Sequence, residues 1–147
     1  MALDVGEKTI GVAVSDPMFV TAQGITTIER ISKKKDTDSI IKLLTEYQCE
    51  ILIIGLPLSL NGTDSIQTEK VRDFKTQLEN KLRSTGFQNI RIDYQDERYT
   101  TTIAERVLID ANLSREKRKK VIDKQAAVII LQSYLDQNGE KLKSEIK

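Results

Sequence analysis

The chain has no histidine and only one cysteine, Cys49, in 147 residues. Without imidazole, the serine and cysteine hydrolases that rely on a histidine base are excluded, and with a single thiol so are zinc sites built from nitrogen and sulfur ligands. Cys49 cannot form an intrachain disulfide, and it precedes an apolar run where a buried structural thiol is expected. No apolar run approaches the ~20 residues that cross a bilayer, so no membrane partner is expected. The N-terminus has no basic region followed by an apolar segment and a cleavage site, which points to a cytoplasmic protein. An excess of one charge is also missing. Lys and Arg number 23 against 22 Asp and Glu, a net charge of +1, so local clusters matter more than the whole-molecule field. Aromatic residues are 5% of the chain, with Tyr94 and Tyr99 nearest the candidate site, and base stacking is not strongly indicated. Any catalysis must therefore rest on carboxylates, amines or hydroxyls. Carboxylates are hard oxygen donors that suit magnesium or manganese better than zinc.

What is present reads as one domain over residues 1–147. Residues 2–5 and 10–15 predict two antiparallel strands joined by Gly6-Glu7-Lys8-Thr9, with a third strand around 24–28. A polar segment over 32–38 leads into a helix over 39–47, capped by Asp38 or Thr37. The run Ile51-Leu52-Ile53-Ile54, inside a strand over 50–56 closed by Gly55 and Pro57, predicts a central strand covered on both faces. Asp64 or Ser65 then caps a long amphipathic helix to about Arg83, and residues 90–94 form the fifth strand. Residues 100–111 read as a helix, 113–120 as a basic connection that is itself compatible with helix, and 121–137 as a last helix ending near Asn138-Gly139. Residues 139–147 read as a frayed tail. A meander followed by strands alternating with helices gives an α/β class with a mixed five-stranded sheet and helices on both faces.

Three carboxylates stand out. If Gly6 to Thr9 form the hairpin loop, Asp4 faces Gly11, with Ala2 and Ala13 alongside, leaving room beside the carboxylate for an ion or a phosphate. The competing reading is a solvated or hydrogen-bonded structural aspartate. Asp96-Glu97 ends the fifth strand, and adjacent side chains diverge, so one of the two is expected to face the site of Asp4; acidic residues there also cap helices. Asp123 shares a helix face with Ala126, Ala127 and Ile130, where a carboxylate needs a cation or donors, or else favours the helix dipole and pairs with Lys119 or Lys120. Converging on divalent cations, such carboxylates would suit an in-line phosphoryl displacement without imidazole. The run Arg115, Lys117, Arg118, Lys119 and Lys120 is a solvated face or a clamp for a phosphate backbone. Lys8, Arg98 and Lys124 are further candidate nucleic-acid contacts.

Four stretches in order carry a family resemblance along nearly the whole chain. They are Ala2 to Ala13, Gly55-Leu56-Pro57-Leu58 with Asn61-Gly62-Thr63, Asp96-Glu97-Arg98 with Thr100-Thr101, and Lys120 to Ala127. Together they resemble the YqgF/RuvX family. The resemblance implies a ribonuclease H-like fold and a hydrolase acting on ester bonds, a two-metal-ion nuclease using Mg2+ or Mn2+. It implies maturation of the 5′ end of pre-16S ribosomal RNA, with Holliday junction resolution on branched DNA as the alternative. The implied catalytic and metal-binding set is Asp4, Glu97 and Asp123, with Asp96 as a further participant. Partners would be structured RNA or branched DNA, with a homodimer allowed. One departure matters: RuvC resolvases carry a carboxylate at the end of the central strand, where this chain has Gly55-Leu56.

Two other classes compete. Actin-like ATPases and sugar kinases also open on an aspartate in an Asp-x-Gly hairpin, but they close two lobes around a cleft and this length supplies one. A non-catalytic nucleic-acid-binding module on the same fold would not need all three carboxylates.

Overall fold

The computed structural model describes residues 1–97 and 114–146, and the side chains among them except those of 115–123 and 146. Arg98 and the helix expected over 100–111 lie outside the described residues. Along the chain run β1 (Ala2–Val5), β2 (Thr9–Ser15), β3 (Ala22–Glu29), α1 (Lys33–Glu46), β4 (Ile51–Leu56), α2 (Ile66–Ser84), β5 (Arg91–Asp96) and α3 (Arg115–Ile146). The strands form one five-stranded sheet in the order β3-β2-β1-β4-β5. β1 is antiparallel to β2 and β2 to β3, whereas β1–β4 and β4–β5 are parallel. The sheet is therefore mixed, as the pattern predicts.

Alternation along the strands sorts the core into two layers. Leu3, Val5, Ile10, Val12, Leu52 and Ile54 pack with Ile40 and Leu44 of α1 and Val71, Phe74 and Leu78 of α2. On the opposite face Ala2, Ala13 and Ile53 meet Ala127, Ile130, Leu131 and Tyr134 of α3. The strand residues on this second face are mostly small, so the helix lies close to the sheet. A side chain at Gly24 of β3 would come within 2.6 Å of Lys124 Cε, and one at Gly55 of β4 would collide with Ile130 Cδ1.

The structure shifts several predicted boundaries. α1 begins six residues before the predicted Ser39, because Ser32 caps it by accepting a hydrogen bond from the Lys35 amide and because its first turn buries polar groups instead of apolar ones. Asp36 and Thr37 are the buried residues there, and an apolar count does not see them. α2 is capped by Ser65 with Thr68 completing a reciprocal capping box, one of the two caps expected.

The tail expected to fray over 139–147 is helical as far as Ile146. α3 runs unbroken through Gly139 to Ile146. Leu142 is only 3% exposed, and Glu145 Oε2 accepts a hydrogen bond from Arg91 Nη1 at 3.0 Å, so packing and an ion pair carry the helix past the expected stop. No helix among the described residues is long and apolar enough to cross a membrane. Replacing Leu142 with Ala should lower stability by about 2–3 kcal/mol, read as a shift in the urea midpoint at constant slope. An unchanged midpoint would show that the last turns of α3 are not packed.

Candidate active site

Asp4 sits where the hairpin register places it. Ala2 pairs with Ala13, Leu3 with Val12, Asp4 with Gly11 and Val5 with Ile10. The period of two puts Asp4 on the face of Ala2, the side covered by α3. The turn that follows is tight: the Gly6 amide donates to the Thr9 carbonyl at 2.9 Å, and a Cβ at Gly6 would stand 2.9 Å from that same oxygen. A side chain there would press on backbone, so glycine is required. β1 and β4 run in parallel with Leu3 beside Ile54, which brings their C-terminal ends together. β5 runs alongside β4 with Leu56 opposite Asp96, and the Glu97 amide extends that ladder by donating to the Leu56 carbonyl at 3.2 Å. Three adjacent parallel ends thus deliver two carboxyl groups to one place.

Glu97 is 9% exposed, and its carboxyl shares a hydrogen bond with Asp4. Its Oε2 is buried and has no hydrogen-bond partner among the described residues. The carboxyl lies where a side chain of residue 55 would otherwise stand: a Cβ on Gly55 would fall 2.8 Å from Oε2 and 3.1 Å from Cδ of Glu97. Gly55, which the sequence pattern treats only as the end of a strand, is thus the cradle of the second carboxyl. A glycine within a run of Ile and Leu is a marker of close approach, and that was the available signal.

Burial, reinforced by the negative charge of Asp4 and then of Asp96, pushes the Glu97 carboxyl up to about 9. Without a cation, Glu97 therefore keeps a proton at neutral pH. Ionising it at pH 7 costs roughly 3 kcal/mol, taking about 1.4 kcal/mol per unit. A hard divalent cation would offset this, and two converging carboxyl groups with an orphaned buried oxygen suit one. The donor set fits the group.

The remaining candidates lie on β5, the hairpin turn and α3. Asp96 closes β5 and is exposed while its neighbour Glu97 is buried, so the two adjacent carboxylates do diverge. Asp123 lies in the first third of α3, and its side chain is outside the described residues. No group of three metal-ligating side chains is assembled among the described residues. Lys8 is exposed on the hairpin turn, and Lys124 is exposed with its stem across Gly24. Arg115, Lys117, Arg118, Lys119 and Lys120 occupy the opening turns of α3, with side chains outside the described residues. The loop after β4 is held in place: Gly62 (φ 84°) donates to the Ser59 carbonyl at 2.8 Å, and Thr68 Oγ1 donates to the Pro57 carbonyl at 2.6 Å.

Comparison with known proteins bears on this arrangement. The sequence model of the RuvX family, described as Holliday junction resolvase, matches residues 1–137. The chain belongs to the RuvX family. Similar members include a protein of Clostridium novyi (strain NT), 52% identical over 136 residues, covering 92% of this chain and 96% of that one. Another, from Clostridioides difficile (strain 630), is 52% identical over 136 residues, covering 92% of each. Both carry the name "Putative pre-16S rRNA nuclease". Among solved structures, the Fowlpox virus resolvase in complex with its substrate Holliday junction DNA superposes with a TM-score of 0.55 at 14% identity, covering 92% of this chain and 95% of that one. At that identity the likeness establishes the fold, which is ribonuclease H-like. Among the described residues of this RuvX-family chain, Asp4 and Glu97 are the candidate carboxyl groups in contact.

The raised carboxyl has a consequence for stability without metal. The folded chain holds a proton on Glu97 that the unfolded chain releases above about 4.5, so stability falls as pH rises from there toward about 9. In chelator, Glu97→Gln should flatten this fall in urea midpoints between pH 5 and 9 and leave the variant more stable than the parent at pH 8. A slope of the same size in both proteins would contradict the burial of an ionisable Glu97.

Proposed function

We propose that this RuvX-family chain is a metal-dependent nuclease that hydrolyses phosphodiester bonds, acting on the 5′ end of pre-16S rRNA in the cytoplasm. The observation that carries the reading is the buried Asp4–Glu97 carboxyl pair, with Oε2 of Glu97 unpartnered among the described residues. The names of the relatives support the RNA substrate.

Asp4 and Glu97 would hold the cation from two strand ends, and Asp123 would supply a third carboxylate from α3. Bound divalent cations of the magnesium or manganese class supply an activated water and stabilise the attacking and leaving oxygens. Glu97 would hold the cation as a carboxylate and would give up its proton to do so, so affinity for the cation would rise with pH. Asp96, exposed beside it, adds negative charge that favours a dication without being a buried ligand itself. The basic opening of α3, with Lys8 on the hairpin turn, would grip phosphates flanking the scissile bond, a contact that positions the chain without reading sequence. Gly55 keeps the space in which Glu97 operates.

The family description favours a second reading, resolution of branched DNA. A pre-16S 5′-leader transcript and a four-way DNA junction should therefore be incubated in parallel, with manganese and with chelator. The transcript should be cut only with metal. Asp4→Asn and Asp123→Asn should each lose more than the roughly 10- to 100-fold typical of residues that merely support a metal ligand. Activity surviving in the double variant would sink the mechanism, and cleavage of the junction alone would transfer the protein to the second reading. Gly55→Ala should act like a ligand variant, because its methyl group takes the place of the Glu97 carboxyl.

A further inference from the structure

The tight turn after Asp4 is gripped from outside the sheet. The Gly6 carbonyl accepts a hydrogen bond from Arg30 Nη1 at 2.8 Å, and the Arg30 amide donates to the Lys8 carbonyl at 2.8 Å, so one residue holds the turn at both ends. The guanidinium is itself fixed. Its Nε donates to Asp36 Oδ2 at 3.1 Å, and its plane lies over the Phe74 ring at 5.3 Å from the centroid. The other oxygen of Asp36 accepts from the Ile31 amide at 3.0 Å, which locks the carboxylate that aims the arginine. From α2, Gln67 Nε2 donates to the Val5 carbonyl at 3.2 Å. The carbonyls of the two residues that follow Asp4 are therefore each tied by a side chain from another part of the chain.

The Arg30 amide bond to Lys8 continues the β2–β3 register, in which Thr9 pairs with Glu29, but the side-chain bonds of Arg30 and Gln67 lie outside any ladder. The β1–β2 register ends at Val5 with Ile10, and the grips begin where it stops. Nor does stability explain the choice of residues. The Asp36 side chain is 3% exposed and that of Arg30 22%, and a buried ion pair of this kind is often matched or bettered by apolar residues of similar volume. What an arginine adds is a planar fork that bonds a carboxylate and a carbonyl in fixed relative directions, which an ammonium cannot do. Functional carboxylates must be held within about 0.5 Å of their working geometry.

We propose that Arg30, aimed by Asp36 and assisted by Gln67, is a positioning residue for Asp4, setting the turn so that the Asp4 carboxylate meets that of Glu97 over Gly55. The inference rests on the reading of this pair as a metal-dependent centre. It makes the β2–β3 side of the molecule, which brings no carboxylate to the site, responsible for the geometry there.

The test compares the parent with Arg30→Lys and Arg30→Met, using Leu142→Ala as a control destabilised far from the turn. Three quantities are measured: manganese affinity from the free-ion electron paramagnetic resonance signal, kcat and KM on the leader transcript, and the urea midpoint. Both Arg30 variants should bind manganese roughly 10- to 100-fold more weakly and lose kcat by a similar factor with KM nearly unchanged, as removal of a supporting residue does. Leu142→Ala should keep both values. Arg30→Lys retains the charge and its pairing with Asp36, so it separates geometry from folding. Arg30 variants that lose only stability, with parental manganese affinity, would overturn the proposal. A parent that binds manganese but cuts nothing would remove the nuclease reading, while the affinity comparison would still decide the role of Arg30. A parent that binds no manganese would overturn both.

Discussion

Two carboxyl groups in contact, one of them buried, set the terms for the rest of this structure. At neutral pH burial keeps a proton on Glu97 that the unfolded chain releases, so the pair works against the 5–15 kcal/mol by which a domain of this kind is stable. The chain can carry such a site because the opposite face of the sheet is overbuilt. Leu3, Ile10, Ile40, Leu44, Leu52, Ile54 and Leu78 are all essentially inaccessible there, and each contributes about 1.5–3 kcal/mol of burial against the entropy of folding. The site occupies the other face, where strands end and the side chains are small.

That asymmetry between the faces also fixes how close α3 lies. Ala2, Ala13, Gly24 and Gly55 present almost no bulk, so the helix backbone descends until Ile130 and Lys124 fill the gaps directly. Ile130 of this helix and the Glu97 carboxyl both stand over Gly55, and burial of that carboxyl is the main cause of its raised pKa. Small residues on the sheet and acid chemistry at its end are thus one arrangement seen from two sides. Position 123 lies one helical turn before Ala127, on the approach to this contact.

The parts of this architecture that were legible in the sequence are those fixed by short-range pattern. A four-residue loop with Gly6 determines the β1–β2 register, and the register determines the neighbours of Asp4 before any tertiary contact is known. The mixed sheet follows from a meander succeeded by helix-length crossovers. What was not legible depends on partners distant in sequence. α1 starts early because Asp36 is buried against Arg30, which makes a polar segment behave as part of the core. α3 continues through Gly139 because Leu142 and Glu145 find partners on the sheet side. Gly55 reads as a terminator along the chain, and only the arrival of Glu97 from β5 makes it a cradle. In each case a residue whose local propensity points one way is overruled by a contact that no window of sequence contains.

The source of the second carboxyl has a geometric meaning. A carboxylate borne by residue 55 would have to leave β4 through the volume held by Ile130 Cδ1, so the helix would have to stand further off and the site would be wetter. Glu97 avoids this by entering from beyond the end of β5, sideways over a strand position that has no side chain. Its carboxyl is then anchored to the ladder by its own backbone amide on Leu56 and is free to move only at the side chain. The chain therefore brings an acidic pair to the end of the sheet with its second carboxyl arriving from beyond β5 and not from β4 itself.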